Sequence, residues 1–198
     1  MSVRGVLQVH SAPPALCPHV EWAVAGVIGV QVRLPWVDQP ASPGSVRAEL
    51  DWHGHPGTSA TITSALAAWN RLRFEVTEEA SPGCDPVRFS HTPSLGTFSA
   101  VTSANGDILV PEGRLRAAMM LAAASAHGRP HDDGTGNRST EGGGVEGLRD
   151  RHGPRHPALG GSLEAEISLL LGQPWDDELE PFRHAAEGAP VRWLHATG

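Results

Sequence analysis

Residues 3–28 read VRGVLQVHSAPPALCPHVEWAVAGVI, and two different periods meet inside them. Val3, Gly5, Leu7 and Val9 alternate with Arg4, Gln8 and His10. That period of two predicts a half-buried strand, with Val6 the exception. Pro18 suits the first turn of a helix, and Val20, Ala23, Val24, Val27 and Ile28 follow at helical spacing until Gly29. The chain therefore opens as strand then helix.

Working outward, Val30, Val32, Leu34 and Trp36 alternate again. After a Pro/Gly/Ser loop, Val46, Ala48, Leu50 and Trp52 give the cleanest strand pattern in the chain. Gly57-Thr58-Ser59 opens a second helix with Ile62, Leu66 and Trp69 on one face, and Leu72, Phe74 and Val76 predict a fourth strand. The resulting order, βαββαβ, is the split-βαβ arrangement of ferredoxin-like domains, an α+β fold with an antiparallel sheet in strand order 4-1-3-2. Both helices should cover the apolar face of that sheet. Arg4, Gln8, His10, Arg33, Arg47, Glu49, Asp51, His53, Arg73 and Glu75 are left for the other, a polar face of mixed charge.

A further strand is expected at 87–91, and Asn105-Gly106 is a strong hairpin signal between Val101 and Ile108. These strands either extend the sheet or form a second one. A helix is expected over 111–126 with Leu115, Ala118, Met119 and Ala122 on one face. Residues 127–162 hold ten Gly, three Pro and four His, with only Val145, Leu148 and Leu159 as large apolar residues. Such a segment buries too little apolar surface to offset its ordering, so it reads as a disordered insertion within a single α+β domain spanning 1–198. Beyond it, Leu163, Ile167, Leu170 and Leu171 predict a short amphipathic helix ending near Gly172, and a final strand is expected at 191–194.

The chain has 15 Arg, no Lys and 22 acids, a net charge of -7 that is unfavourable for neutralising a phosphate backbone. Nucleic acid is not an expected partner. RNA-recognition domains share the βαββαβ order, but the third strand puts Arg47, Glu49, Asp51 and His53 where such domains carry stacking aromatics. No apolar run approaches the roughly 20 residues needed to span a bilayer, and the N-terminus does not read as a leader, so a cytoplasmic protein with no membrane association is expected. Cys17 and Cys84 lie far apart without a CxxC pattern and are expected as free thiols.

The densest run of chemically capable side chains is residues 10–22, at the strand-to-helix junction. Cys17 before Pro18 would meet the unpaired N–H groups and dipole of a helix start, which lower a thiol pKa, with His19 beside it as a base. The structural alternative is a buried cysteine acting as a small hydrophobe. His10, Cys17, His19 and Glu21 lack the spacing of a zinc site, so no metal and no cofactor is expected. Asp176 and Asp177 follow Trp175 as a carboxylate pair, or Asp176 caps a helix that turns Leu179 and Phe182 inward. With His91 and Ser11, the residues His10, Cys17, His19, Glu21, Asp176 and Asp177 make the candidate ligand-binding set. None is assigned a catalytic role.

Four blocks, residues 10–24 (HSAPPALCPHVEWAV), 90–98 (SHTPSLGTF), 175–183 (WDDELEPFR) and 187–195 (EGAPVRWLH), resemble an uncharacterised actinobacterial family, domain of unknown function number 3145. The resemblance covers 3–126 and 163–198 and leaves 127–162 as a departure from the family pattern. Members of that family are often encoded beside fatty-acid synthesis genes, so the resemblance implies a role near acyl-carrier metabolism. Two functional expectations follow. One is a non-enzymatic module that binds a protein partner in fatty-acid synthesis or a small acyl ligand, through the polar sheet face and the loops at 10–19 and 90–93. The other is a thiol- or metal-dependent hydrolase or transferase acting on an acyl substrate through Cys17 and His19.

Overall fold

The alternating residues at the start of the chain form an interior strand of the sheet. In a computed structural model describing residues 2–127 and 162–185, β1 (Val3–Ala12) buries Val3, Leu7 and Val9 on one face. It pairs on both edges, with β3 (Val46–Gly54) and with β4 (Arg73–Glu78), antiparallel in each case. Every backbone polar group of a central strand needs such a partner, because water cannot reach it. β2 (Val37–Asp38) continues from β3, while β5 (Val87–Thr92), β6 (Gly96–Thr102) and β7 (Ile108–Leu109) continue from β4. One antiparallel sheet results, in the order β2-β3-β1-β4-β5-β6-β7. The order β2-β3-β1-β4 is compatible with the expected 4-1-3-2, although the second strand is Val37–Asp38 and not the expected 30–36, and the later three strands extend the sheet. The fold is mixed α+β and compatible with the ferredoxin-like arrangement.

Helices α1 (Cys17–Ile28) and α2 (Thr58–Ala67) cover one face. Val20, Val24, Ile62 and Leu66 meet Leu7, Val9, Trp52, Phe74 and Val76 in the main core. Gly29 ends α1 in the left-handed conformation (φ 75°), its N–H donating to the Ala25 carbonyl at 2.9 Å. Glu78 is a carboxylate on the apolar side of β4, yet it accepts from Gly57 N (2.8 Å), Ser59 N (2.9 Å) and Ser59 Oγ (2.7 Å). The positive end of α2 thus compensates its burial.

The other face is covered in part by a later helix. The chain after β7 forms α3 (Glu112–His127), α4 (Leu163–Leu170) and α5 (Gln173–His184). Trp175 and Leu179 of α5 are buried, and Trp175 packs on Phe98 of β6 with ring centroids 5.1 Å apart. The indole Nε1 donates to the Gly96 carbonyl at 3.0 Å. Part of the polar face is therefore roofed by a helix, because β6 offers Phe98 and Ala100 there as a second small core with Trp175. Gly172 starts α5 at φ 74°, so the cap is this glycine and not Asp176, which lies in the first turn.

Two further expectations are corrected. Residues 31–36 do not pair as a strand: Pro35 lacks a donor, and the Leu34 N–H and Trp36 Nε1–H both donate to Glu21 Oε1 at 3.0 Å. Val32 and Leu34 are nonetheless buried, so the alternation reflects burial and only the pairing differs. Among the described side chains of α3 only Ala118 is buried, while Leu115 and Met119 are exposed. The insertion expected at 127–162 and the strand expected at 191–194 lie outside the described residues, apart from the insertion's two end residues. Among the described residues no helix is long and apolar enough to cross a membrane.

Candidate functional site

Pairing brings three polar side chains together on the face under α5. Glu75 of β4 stands opposite Gln8 of β1 and Ser90 of β5, so His10 and Arg88, each two residues along, share its face. Asp176 and Arg183 lie seven residues apart on α5, two turns along one side of the helix. Glu75 accepts from His10 Nε2 (2.7 Å), Arg88 Nε (2.9 Å), Arg183 Nε and Nη2 (2.9 and 2.7 Å) and Ser90 Oγ (3.1 Å). Asp176 Oδ1 accepts from the same two guanidiniums, Arg88 Nη2 at 2.5 Å and Arg183 Nη2 at 2.8 Å. Two carboxylates thus balance two guanidiniums in a site where Glu75 is 5% exposed.

Burial alone would raise the Glu75 pKa. The hydrogen bond and charge of His10, then Arg88 and Arg183, outweigh it and hold the carboxyl well below its usual range. Burial likewise works to lower the Arg183 pKa, and its bonds to Glu75 and Asp176 raise it instead. An ionised carboxylate has about four lone-pair sites, so one already accepting this many bonds has no capacity left for general-base work. The cluster is a clamp that fixes α5 to the sheet.

Beside the clamp, Arg73 bonds Glu178 through Nε (3.1 Å) and Nη2 (3.0 Å) and lies 4.8 Å over the Phe182 ring. Ser94 donates to the same Glu178 carboxylate. Buried Gln39 donates to the carbonyls of His10 (2.6 Å) and Phe182 (3.3 Å), linking the loop before β3 to α5. Where these elements end, a cleft of about 340 Å³ opens. Ser11 at the end of β1, Ser45 of the loop before β3, and Asn70, Arg71 and Arg73 after α2 supply its polar lining. The apolar side chains of the lining are Pro13, Pro43 and Pro93. The loop is set by Ser45 N–H and Oγ–H both donating to the Ser42 carbonyl (3.0 and 2.6 Å), with Gly44 at φ 81°.

The candidate set separates in space. His10 and Asp176 fall in the clamp, and Ser11 in the cleft. Glu21 anchors residues 34–36. Asp177 is exposed and accepts from Gln173 (3.2 Å). His91 stacks on Phe74 at 4.9 Å, its Nδ1 lies 2.8 Å from Thr97 Oγ1, and its buried Nε2 has no hydrogen-bond partner among the described residues. Burial lowers its pKa, against the charge of Glu178. His19 is exposed and tilted against Trp69 at 6.4 Å. Glu75, Arg73 and Arg88 escaped the sequence reading as site residues, although Arg73 and Glu75 alternate on the polar face. Arg183 had one signal, its seven-residue spacing from Asp176.

Cys17 and Cys84 are both free thiols. Burial pushes the Cys17 thiol pKa up, its backbone hydrogen bond opposes this, and the charge of Glu21 raises it further. The raised pKa favours the structural reading of Cys17 over the activated thiolate. Iodoacetamide should therefore alkylate Cys17 in the native chain more slowly than a free model thiol, read by mass mapping after timed quenching. A faster Cys17 would restore the nucleophile.

A family model described as "Protein of unknown function (DUF3145)" matches residues 6–131 and 149–196, most of the chain. The chain belongs to this family. The family match takes in all four sequence blocks that carried the resemblance, every member of the clamp and every residue named in the cleft. No curated protein and no solved structure matches the chain.

Proposed function

We propose that this member of the family is a non-enzymatic binding module whose ligand, or the protruding end of a protein partner, seats in the cleft beside Ser11. The observation that carries this reading is the chemistry of the lining. Hydroxyls, an amide and two guanidiniums face the space, and none of the lining residues is His, Cys, Asp or Glu. Such a surface orients and holds a group by hydrogen bonds but has no side chain suited to move a proton near neutral pH. Three groups with that capacity are committed to structure: His10 to Glu75, Glu21 to residues 34–36, and Glu178 to Arg73. The loops at 10–19 and 90–93 both reach the cleft, through Ser11, Pro13 and Pro93.

A ligand or partner from fatty-acid synthesis, which the family resemblance implies, would enter by its polar end, since the apolar side chains of the lining are prolines. The hydrolase or transferase reading through Cys17 and His19 has no geometry in its favour: no hydrogen bond joins the pair among the described residues, and the thiol pKa is raised.

The test compares affinity purification of the tagged chain with that of Asn70→Trp, a rim position where an indole would fill the cleft. A small molecule or stoichiometric partner should accompany the wild type and be lost from the folded variant. Equal retention by both, or a wild type that carries nothing, would overturn the reading.

A further inference from the structure

We propose that the cleft is an oxyanion site, taking the carboxylate or phosphate group of its ligand on Arg71, Arg73, Asn70 and the hydroxyl of Ser11. The inference deepens the binding-module reading and rests on it. Its first support is charge placement. A chain with 22 acids against 15 Arg lines its cleft with two arginines and no acid. Chance placement would favour the reverse, and an electropositive recess on an acidic surface both attracts an anion and repels the wrong sign of ligand.

The second support is Ser11. The residue is 4% exposed overall and lines the cleft, and its hydroxyl is not among the enclosed unpaired polar atoms of the described residues, so the cleft reaches it. A hydroxyl open to the cleft on a residue otherwise held by the fold can donate to a group seated there. An oxyanion is the acceptor that the neighbouring guanidiniums would bring there.

The two arginines have different standing. Arg71 is exposed and its side chain makes no ion pair or hydrogen bond among the described residues, whereas Arg73, Arg88 and Arg183 all pair with carboxylates. Arg73 commits Nε and Nη2 to Glu178 and is held over Phe182, which leaves the N–H groups of Nη1 in a fixed position. Arg71 and Arg73 flank Leu72, which is fully buried, so the core anchors the backbone between them. Arg71 thus supplies the uncommitted charge, and Arg73 a preset fork shared with Glu178.

Sodium phosphate and sodium acetate are the probes, titrated separately into the full ¹⁵N-labelled chain at constant ionic strength and followed by NMR. Backbone signals of Ser11, Asn70 and Arg71 should shift and saturate, with Kd on the order of 1–10 mM for so small a ligand. The anion that saturates at lower concentration identifies the group. Arg71→Ala should weaken binding about tenfold, as expected for loss of a charge-assisted contact. Glu178→Gln should tighten it by about threefold or more, because it removes the carboxylate competing for Arg73. A merely structural arginine pair would not give those opposite responses. Shifts that fail to saturate, or that Arg71→Ala leaves unchanged, would overturn the proposal. Acetamide, run in parallel, separates the two levels of inference. Saturation by acetamide without saturation by either anion would sink the oxyanion assignment and leave the binding module standing. Anion binding in a chain whose Asn70→Trp variant keeps all its companions would do the reverse.

Discussion

Glu75→Ala is expected to lower the unfolding free energy by about 3–5 kcal/mol, the range for removing one partner of a buried ion pair. The loss comes less from the bonds themselves than from what they leave behind. Arg88 and Arg183, at 14% and 16% side-chain exposure, would lose a shared buried carboxylate, with Asp176 still between them and Glu180 still 3.3 Å from Arg183, and His10 would lose the acceptor of its Nε2–H. Chemical denaturation followed by near-UV absorbance of the tryptophans gives the number. The exposed pair Arg116–Glu112 is the control, since Glu112→Ala should cost at most about 1 kcal/mol. A Glu75→Ala loss as small as the control's would mean that the clamp behaves like a surface pair. Hydrogen exchange should show α5 opening first in the variant, because Glu75 is the acceptor shared by the sheet and Arg183.

The same clamp predicts the acid limb of the stability curve. The Glu75 carboxyl titrates in the folded chain well below its unfolded value, so the unfolded state binds a proton first as pH falls. Stability from this group is therefore fully present above the ordinary carboxylate pKa of about 4.3, and is lost as pH falls through the folded value. Wild-type stability should decline below about pH 5, and Glu75→Ala should lack that part of the slope.

The second large effect is expected at Gly5. A Cβ there would come to 2.0 Å from the Thr77 carbonyl oxygen and 2.3 Å from the Trp52 ring. Trp52 is 1% exposed and stands opposite Gly5 across the β1–β3 pair, so its indole occupies the space of the missing side chain. One obstacle is backbone in the neighbouring strand, which cannot retreat without breaking the β1–β4 ladder. Gly5→Ala should destabilise by about 3 kcal/mol, the upper end of the overpacking range. Adding Trp52→Leu should relieve none of the Thr77 clash, so the double variant should remain well below both the wild type and the Trp52→Leu single variant. A Gly5→Ala chain of wild-type stability would show that β1 and β4 are not held at this distance in solution.

How far the site was legible follows from the same residues. His10, Ser11 and Asp176 were visible as chemically capable side chains, and two of them joined one clamp. Glu75 was visible only as one polar residue among many on its face. Nothing in its neighbours along the chain marks it, because its partners are His10, 65 residues before, and Arg183, 108 residues after. Cys17 shows the converse. Local context left an activated thiol and a buried structural cysteine side by side, and the burial around Cys17 favours the second.

By itself the sequence determined β1, β3 and β4, the helices α1 and α2 with their apolar faces, and the turn at Asn105-Gly106. Those features rest on periodicity, capping and turn chemistry, which act over a few residues and are written in the local pattern. Only the tertiary structure decided that α5 lies across the polar face, that Glu75 gathers donors from β1, β5 and α5, and that Ser11, Asn70, Arg71 and Arg73 border one cleft. These depend on strand register and on where distant elements dock. There the energy comes from pairing charges and filling space between segments far apart in the chain, which no local period encodes.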